Sequence, residues 1–479
     1  MRDRPASADK ERGGGGGGAA VAATALAAAL GAWHLGEKSL WVDEGVSYFH
    51  SQLDMSSLWS NMVNIEPNQA LHYGLLKLWT AFGTSEAMLR TPSVIAFAAT
   101  VPFAYGIAAE LWGRRTAVLA GFLVALNGFL VHYAQEARPY ALAAMFVTAS
   151  SYFFVVGLRR QRRAYLLAWA VTTVLAVLAH LFAAFVVLAQ LLSLPLVPDR
   201  RIPWRVLAWS AAVALLAMVP LGILLSRGNK RAGIAWIQQT SSDGVMRTLT
   251  QLAGGAGRPL LIATAAAAVV VVLTASNARD DSWSWWGSAF VIRWAIVPVA
   301  ATILLSEVEP LFVARYLIVA VPALAILVAT GLAQIRPRLA FVAAVVVFGL
   351  LASQGVRNWY RSEPKEDWRD AAAFVAEEAE TGDAVIIYRF GRDAFLYYYG
   401  RDEGDVPASI DVIQANRLPE SDLLELLADH DRVWLLWYQH GGSDAGLRDL
   451  TSTIALDHST GPAEGFHLIN VWRYERRPR

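Results

Sequence analysis

The sequence predicts an all-α domain that crosses a membrane many times, followed by a small α/β domain. Of its 479 residues, 55% are hydrophobic and only 17% are charged, whereas an ordinary soluble protein carries about 25% charged residues. The hydrophobic residues are concentrated in about eleven apolar segments, each close to the roughly 20 residues that a transmembrane helix needs. Charged residues become frequent again after residue 358, where we place the second domain.

The predicted membrane domain spans residues 19–357. Its fifth and sixth apolar segments are short and meet near His180, so they form either two spans or one long kinked helix. The candidate spans are residues 17–36, 89–111, 116–132, 139–158, 164–179, 181–197, 206–226, 259–276, 289–305, 316–333 and 339–357.

Basic residues in the short loops predict the orientation, because cytoplasmic loops are enriched in Lys and Arg. With eleven spans, most of these basic residues fall on one side of the membrane, and we assign that side to the cytoplasm. Residues 1–18, which end in six glycines, then form a flexible cytoplasmic tail, and the first outer loop (37–88) and the C-terminal domain (358–479) lie outside the plasma (inner) membrane. The basic residues concerned are Arg2, Arg4, Lys10, Arg12, Arg114, Arg115, Arg159, Arg160, Arg162, Arg163, Arg200, Arg201, Arg205, Arg336 and Arg338.

Net charge and cysteine content exclude several classes of protein. The formal net charge is +1, from 41 basic and 40 acidic residues, which argues against a nucleic-acid-binding protein with its basic face. The chain has no cysteine, so disulfides, thiolate metal sites and cysteine nucleophiles are excluded.

The C-terminal domain is predicted from the alternation of short helical and extended patterns. Helices are expected over Asp367–Glu380, Asp393–Tyr399 and Asp422–Ala428, and strands over Ala384–Tyr388, Val433–Tyr438 and Phe466–Tyr474. No glycine-rich phosphate-binding pattern occurs in it, so the sequence indicates no nucleotide site.

Two adjacent acids follow the first span, in the segment Leu40-Trp41-Val42-Asp43-Glu44-Gly45. Carboxylates at the edge of the hydrocarbon region are costly and are usually functional. Neighbours on a helix point about 100° apart, so only one of the two can face a given substrate atom. We expect Asp43 to be a general base and Glu44 to support it or to stabilise the start of a helix. The alternative is that Asp43 itself is only a helix cap.

A second group of polar residues in the first outer loop suggests contacts to an acceptor substrate. Glu66 precedes Pro67, and His72 and Tyr73 open an aromatic helix that runs to Phe82. Glu66 could contact the acceptor or a metal, or could be only an acid at a helix start.

The second outer loop contains Gln135, Glu136 and Arg138 directly before Pro139 and the next span. The proline pushes Arg138 toward an extended conformation beside the N–H groups of that helix. An arginine and a helix N-terminus together make a good phosphate site. The alternative is an arginine that extends to the membrane surface and pairs with Glu136.

Arg315 and Tyr316 repeat this arrangement at the start of a later span. Arg315 could hold the same phosphate as Arg138 or could be an interfacial anchor. His180 lies where the two short spans meet, and it is either a further phosphate or substrate contact or a buried histidine with a structural role.

The order of these motifs resembles the bacterial relatives of protein O-mannosyltransferases, which are GT-C fold glycosyltransferases of the family 39 type. The resemblance is strongest over residues 37–160 and looser beyond, where Arg315-Tyr316-Leu317 and Asp367-Trp368-Arg369 also look similar. Pro67 stands where the aminoarabinose-transferring relatives have a lysine, which argues against lipid A as acceptor. The motifs are Trp41-x-Asp43-Glu44, Leu71-x-Tyr73, Leu89-Arg90-x-Pro92-Ser93, Gly113-Arg114-Arg115 and Gln135-Glu136-x-Arg138-Pro139-Tyr140.

This resemblance implies a membrane glycosyltransferase. It would move a mannose-like hexose or a pentose from a polyprenyl-phosphate donor to an acceptor hydroxyl of a glycan, protein or lipid, with Asp43 as the catalytic base. The predicted donor-phosphate residues are Arg138, Arg315 and His180, and the predicted acceptor or substrate contacts are Glu66, His72, Tyr73, Gln135, Glu136 and Tyr316. A divalent metal could bind at Asp43, Glu44 or Glu136, although no ligand spacing requires one.

Three other functions remain open from the residues alone. A transporter or flippase of a lipid-linked saccharide would share the many spans, but transporters often carry charges inside them, whereas these spans are nearly free of charge. A glycan-binding assembly protein would use the C-terminal aromatics, although core packing explains most of those. An oligosaccharide ligase would use a diphosphate donor.

Overall fold

The computed structural model describes residues 16–64, 67–198, 204–227, 237, 239–275, 282–362, 365–399, 409–415, 420–438 and 445–478. Most of the predicted N-terminal tail and the predicted site residue Glu66 lie outside these ranges.

Each of the eleven predicted apolar segments coincides with one or more helices of the described chain. Short 3₁₀ helices occupy Pro67–Gln69, Thr80–Phe82, Leu194–Leu196 and Ala314–Ala320. The α-helices up to residue 362 are Gly16–Ala32, Val42–Gln52, Met55–Asn64, Ala70–Trp79, Glu86–Trp112, Arg114–Ala125, Gly128–Ala134, Tyr140–Arg160, Arg163–Ala179, Ala183–Ser193, Trp204–Arg227, Ser242–Leu252, Arg258–Ala275, Ser282–Ser306, Val321–Ala333 and Arg338–Ser362.

Length and apolarity identify the protein as a multi-pass membrane protein. Among the described residues, five helices are long and apolar enough to cross a membrane, and a pair bent by 53°, Arg114–Ala125 with Gly128–Ala134, would make a sixth crossing. Four further apolar helices are shorter, so the total of eleven crossings stays a prediction. The two segments that meet near His180 are separate helices, because the backbone of His180 is extended (φ −160°) and ends the first of them.

The chain divides into two compact units. The first contains the chain up to Trp33 together with Asp54–Leu75 and Arg90–Ser362. The second contains His34–Leu53, Leu76–Leu89 and the C-terminal residues from Glu363 onward. Two segments of the first outer loop therefore belong to the same unit as the C-terminal residues.

Three glycines allow close backbone packing in the first unit. A Cβ atom on Gly128 would lie 2.6 Å from the carbonyl oxygen of Gly254 and 2.6 Å from the carbonyl carbon of Gly355. A Cβ on Gly355 would overlap the same Gly254 carbonyl even more closely. Gly254 has a φ of +128°, a conformation that side-chain-bearing residues rarely adopt. Close helix approach of this kind is typical of small residues in membrane proteins.

The second unit contains a five-stranded sheet in the order β2-β1-β3-β5-β4. β1, β2 and β3 are parallel, and β5 joins β3 and β4 antiparallel. The strands are β1 (Ala384–Tyr388), β2 (Asp411–Gln414), β3 (Arg432–Tyr438), β4 (His458–Phe466) and β5 (Ile469–Arg476), and the helices are Trp368–Glu378, Arg392–Tyr398, Glu420–Asp429 and Ala445–Asp457.

Both faces of this sheet are covered, which confirms the α/β prediction. Val385 and Ile387 of β1 join the core under the helices Trp368–Glu378 and Arg392–Tyr398. Their neighbours on the strand, such as Ile386, join the core on the opposite face, as the alternation of side chains along a strand requires.

The predicted strand over Phe466–Tyr474 corresponds to β5 except at its first residues, whereas the preceding strand β4 was missed. The two strands are antiparallel and meet through a turn at 467–468. β4 is mostly exposed and rich in small and polar residues, so it lacks the apolar alternation by which strands are recognised. β2 and the helix Ala445–Asp457 were missed as well.

The first-loop segments of the second unit are tied to its C-terminal part by Arg369. Its guanidinium donates to the carbonyl oxygens of Gly36 and Glu37, each at 3.1 Å, and to the carboxylate of Glu86 at 2.8 Å. Gly45 allows the helix Val42–Gln52, here called the first-loop helix, to pack directly on the helix Arg392–Tyr398. A Cβ on Gly45 would lie 2.5 Å from the backbone nitrogen of Ala394.

The glycine contact in the first unit predicts a stability difference between two substitutions in one helix. Gly355→Ala should destabilise the protein by about 1–3 kcal/mol, because the new methyl group overlaps the Gly254 backbone. Gly349→Ala is the matched control, since nothing lies within 4 Å of its Cβ position and alanine is the better helix former. Thermal unfolding of the two purified variants in detergent measures the difference, and equal melting temperatures would contradict the contact.

Candidate active site

The N-terminus of the first-loop helix carries both predicted catalytic acids. Asp43 and Glu44 lie in its first turn. Glu44 is fully buried, and its Oε2 accepts hydrogen bonds from the Lys365 ammonium at 2.9 Å and from the backbone N–H of Trp41 at 3.4 Å. Asp43 is partly exposed. Glu44 therefore supports the start of the helix, and the side chain that can be offered to a substrate is Asp43.

A second buried glutamate also binds this helix start. Glu366 Oε2 accepts hydrogen bonds from the backbone N–H of Val42 and from the Trp368 indole, each at 2.9 Å. Burial raises the pKa of Glu366, the hydrogen bonds from Trp368, Val42 and Tyr438 oppose the rise, and the negative charge of Asp43 adds to it. Sequence reasoning missed both Lys365 and Glu366.

In the first unit, three residues from separate elements lie close together: Arg138, His180 and Arg315, here called the arginine–histidine cluster. Arg138 and His180 are buried, and Arg315 is half-buried. Burial, together with the positive charges of Arg138 and Arg315, lowers the pKa of His180 to about 3. His180 is therefore neutral at physiological pH, and the positive charge of the cluster comes from the two arginines.

Aromatic rings surround this cluster. The ring of His180 lies 5.1 Å from that of Tyr316 and 5.7 Å from that of Tyr140. The Arg138 guanidinium lies 6.0 Å from the centre of the Tyr140 ring, and the Arg315 guanidinium lies 5.8 Å from that of Tyr316. Each arginine is therefore within the range of a cation–π contact with the tyrosine that follows it.

The backbone next to Arg138 is held by two buried side chains. The hydroxyl of Ser93 donates to the carbonyl oxygen of Glu136 at 2.6 Å. The Nε2 of His72 lies 3.0 Å from the carbonyl oxygen of Ala137. Burial lowers the pKa of His72 to about 3, and the charge of Arg138 contributes to this. A neutral His72 therefore donates its Nε2–H to the loop.

Gln135 and Glu136 take part in contacts within the protein. The amide of Gln135 accepts from the Trp359 indole at 2.7 Å and donates to the carbonyl oxygen of Gly31 at 3.1 Å. Glu136 is buried, with its Oε1 3.1 Å from Nε2 of His132. These contacts give the second outer loop a defined conformation.

Apart from Asp43 and Glu44, the predicted site residues that the structure describes fall into two sets. One set lies at the arginine–histidine cluster, and the other consists of four further buried residues. Tyr316 lies beside the arginine–histidine cluster. His72, Tyr73, Gln135 and Glu136 are all buried, and for His72 and Gln135 the contacts indicate that they shape the loop. Among the described residues, no group of three or more His, Asp or Glu side chains is arranged as a metal site.

The two buried histidines predict a loss of stability in acid. Their pKa values lie near 3 in the folded protein and about 6.5 in an unfolded chain. As the pH falls below about 6.5, only the unfolded chain takes up these protons, so the free energy of unfolding falls by about 1.4 kcal/mol per pH unit and histidine. His72→Gln removes one of the two groups and keeps a donor for Ala137.

Thermal unfolding between pH 7 and about pH 5 tests this prediction. The melting temperature of His72→Gln should fall less steeply than that of the wild type, and His467→Gln, at an exposed position, should behave as the wild type does. An unchanged slope in His72→Gln would contradict the assignment.

The sequence of the membrane domain matches a known family model over part of its length. Residues 71–223 match the family described as dolichyl-phosphate-mannose-protein mannosyltransferase. The match covers about a third of the chain and includes Arg138 and His180, but it does not extend to Asp43 or Arg315. Comparison with curated proteins finds no match.

The fold is found in solved glycosyltransferases. ArnT from Cupriavidus metallidurans, in the apo state and bound to undecaprenyl phosphate, superimposes with a TM-score of 0.66 at 14% identity, over 95% of this chain and 97% of that one. The archaeal oligosaccharyltransferase AglB from Archaeoglobus fulgidus, in complex with an inhibitory peptide and a dolichol-phosphate, superimposes with a TM-score of 0.52 at 12% identity, over 88% of this chain and 69% of that one. The chain therefore has the GT-C glycosyltransferase fold.

Proposed function

We propose that this protein is a membrane glycosyltransferase that moves a sugar from a polyprenyl-phosphate donor to an acceptor hydroxyl. The observation that carries the proposal is the arginine–histidine cluster. It brings two permanent cations together around a neutral histidine, at the break between two apolar helices. The proteins that share the fold support it, because a crystal structure of ArnT holds undecaprenyl phosphate and a structure of AglB holds a dolichol-phosphate.

The donor suits such a site, since its lipid lies in the bilayer and its charged head at the membrane surface. Arg138 and Arg315 bind the phosphate. In the transition state the bond between the sugar C1 and the phosphate oxygen breaks, and the negative charge on that oxygen grows. Cations already in place stabilise this charge, so the leaving group needs no proton. In this proposal the side chains of Tyr316 and His180 lie beside the bound phosphate.

Asp43 is the general base of the proposed reaction. It takes the proton from the acceptor hydroxyl as the hydroxyl oxygen attacks C1. One displacement forms the new glycosidic bond and releases the polyprenyl phosphate, so the configuration at C1 is inverted. Glu44 does not compete for the proton, because its carboxylate is buried and paired with Lys365.

The reaction is proposed to occur on the outer side of the plasma membrane. This follows from the predicted orientation, in which the arginine-rich short loops are cytoplasmic and the first outer loop and C-terminal residues are extracytoplasmic. The sugar is a hexose such as mannose or a pentose. A donor screen in membranes, with mannose, glucose, galactose and arabinose each on a polyprenyl phosphate, identifies it; release of sugar to an acceptor also separates a transferase from a flippase.

The base assignment predicts that Asp43→Asn abolishes transfer and leaves the protein folded. Asparagine has a similar shape but cannot take a proton, so kcat should fall by about 100-fold or more, and donor binding should be unchanged. Asp449→Asn, at an exposed position of the C-terminal domain, is the control for the loss of one carboxylate. Normal turnover in Asp43→Asn would reject this role.

The phosphate assignment predicts that Arg138→Ala and Arg315→Ala each weaken use of the donor. Loss of a charge-assisted contact to phosphate should lower kcat/KM for the donor by about 10- to 1,000-fold, without changing the acceptor KM. Arg448→Ala, an exposed arginine, should keep wild-type kinetics. Unchanged donor kinetics in both cluster variants would show that the arginines are membrane anchors instead.

A further inference from the structure

Two charged residues with no assigned role, Lys365 and Glu366, are buried in the second unit. Only 7% of the Lys365 side chain and 4% of Glu366 are exposed. Removing charges from water costs several kcal/mol per ion unless each has good partners. Here the partners belong to the first turn of the first-loop helix, which carries Asp43.

The two residues bind on both sides of Asp43 along the chain. Glu366 accepts the N–H of Val42, the residue before Asp43, and Lys365 binds the carboxylate of Glu44, the residue after it. The first N–H groups of a helix have no acceptor within the helix, so the Glu366 contact supplies one. Because consecutive helical residues point about 100° apart, holding Val42 and Glu44 sets the direction of Asp43.

Glu366 is itself held in place by a tightly packed neighbour. Its Oε2 accepts the Trp368 indole N–H at 2.9 Å. The indole ring packs against Gly391, where a Cβ atom would overlap the ring and where φ is +117°. The Glu366 carboxylate therefore has little freedom to turn away from Val42.

Asp43 lies close enough to Glu366 for its negative charge to add to the raised pKa of Glu366, whose main cause is burial. The other ionisable groups at this point are the Lys365 ammonium, paired with Glu44, and Tyr438, which hydrogen-bonds to Glu366.

We propose that Lys365 and Glu366 are positioning residues for sugar transfer: they hold the first turn of the first-loop helix so that Asp43, and not Glu44, is presented as the base. This inference rests on the proposed function. The Lys365 ammonium binds the buried Glu44 carboxylate and keeps it out of the reaction, and the Glu366 carboxylate fixes the turn through the Val42 N–H.

The test compares Glu366→Ala, Glu366→Gln and Glu377→Ala in the full-length protein, with the best donor from the screen. Glu366→Ala removes the acceptor for the Val42 N–H, so kcat should fall by about 10- to 100-fold, with the donor KM within about twofold of wild type. Glu366→Gln keeps an acceptor oxygen and should recover most of this activity at neutral pH. Glu377→Ala, at an exposed position of the same domain, should match the wild type.

The split between kcat and KM distinguishes positioning from a merely structural role. A structural defect would lower the melting temperature and the folded fraction of both Glu366 variants, whereas positioning lowers kcat in Glu366→Ala at an unchanged donor KM and is rescued by Glu366→Gln. The inference is overturned if Glu366→Ala has wild-type kcat, or if folded Glu366→Gln is as slow as Glu366→Ala. If Glu366→Ala does not fold, the Lys365 variants described next decide.

A double substitution tests the Lys365 contact. Lys365→Met leaves the Glu44 charge unpaired in a buried position and should lower kcat, whereas Lys365→Met with Glu44→Gln removes both charges and should restore it. A double variant as poor as Lys365→Met would contradict the inference. If the wild type transfers no sugar from any donor, the proposed function fails; if the wild type is active and these variants match it, only the inference fails.

Discussion

The buried contact between Lys365 and Glu44 is the interaction on which the proposed chemistry depends. An acid at the first turn of a helix is stabilised by the free N–H groups there, but two adjacent acids repel each other and compete for the same proton. The ammonium of Lys365 removes Glu44 from this competition. Taking away one partner of a buried ion pair leaves an uncompensated charge that costs about 3–5 kcal/mol. The pair therefore links the integrity of the second unit to the orientation of Asp43, the proposed base.

In the first unit, two positive charges lie close to each other. His180 stays neutral because its burial and then the positive charges of Arg138 and Arg315 lower its pKa. Two guanidinium groups near one another repel, and an anion between them reduces that repulsion. Buttressing by Ser93 and His72 keeps the Arg138 loop in place before any ligand arrives, which lowers the entropy lost on binding. These charges are the physical reason for proposing that the cluster binds phosphate and not a neutral ligand.

Much of this architecture could be predicted from the sequence, for physical reasons that differ from element to element. Long apolar runs have few alternatives to a helix in a membrane, so the helical segments were recognised. Arg138 and Arg315 were recognised because each opens an apolar helix. Lys365 and Glu366 were missed because their partners lie more than 320 positions earlier in the chain, and a charge just after an apolar helix looks like an interfacial anchor. The sequence predicts His72 as a substrate contact because its partner in the structure is the backbone carbonyl of Ala137. A backbone partner leaves no recognisable pattern in the sequence.

The discontinuous second unit has a consequence for biosynthesis. Glu44 and Lys365 are separated by 321 positions, and a ribosome that adds about 5–20 residues per second needs roughly 16–64 s to cover that interval. During this time the first-loop helix has emerged without the lysine that pairs with its buried glutamate. The first turn of this helix, with the proposed base Asp43, is therefore completed only after Lys365 has been synthesised. A chain that stalls on the ribosome before residue 365 keeps the first-loop helix without its lysine partner. Such a chain would be exposed to quality-control proteases that recognise unassembled loops.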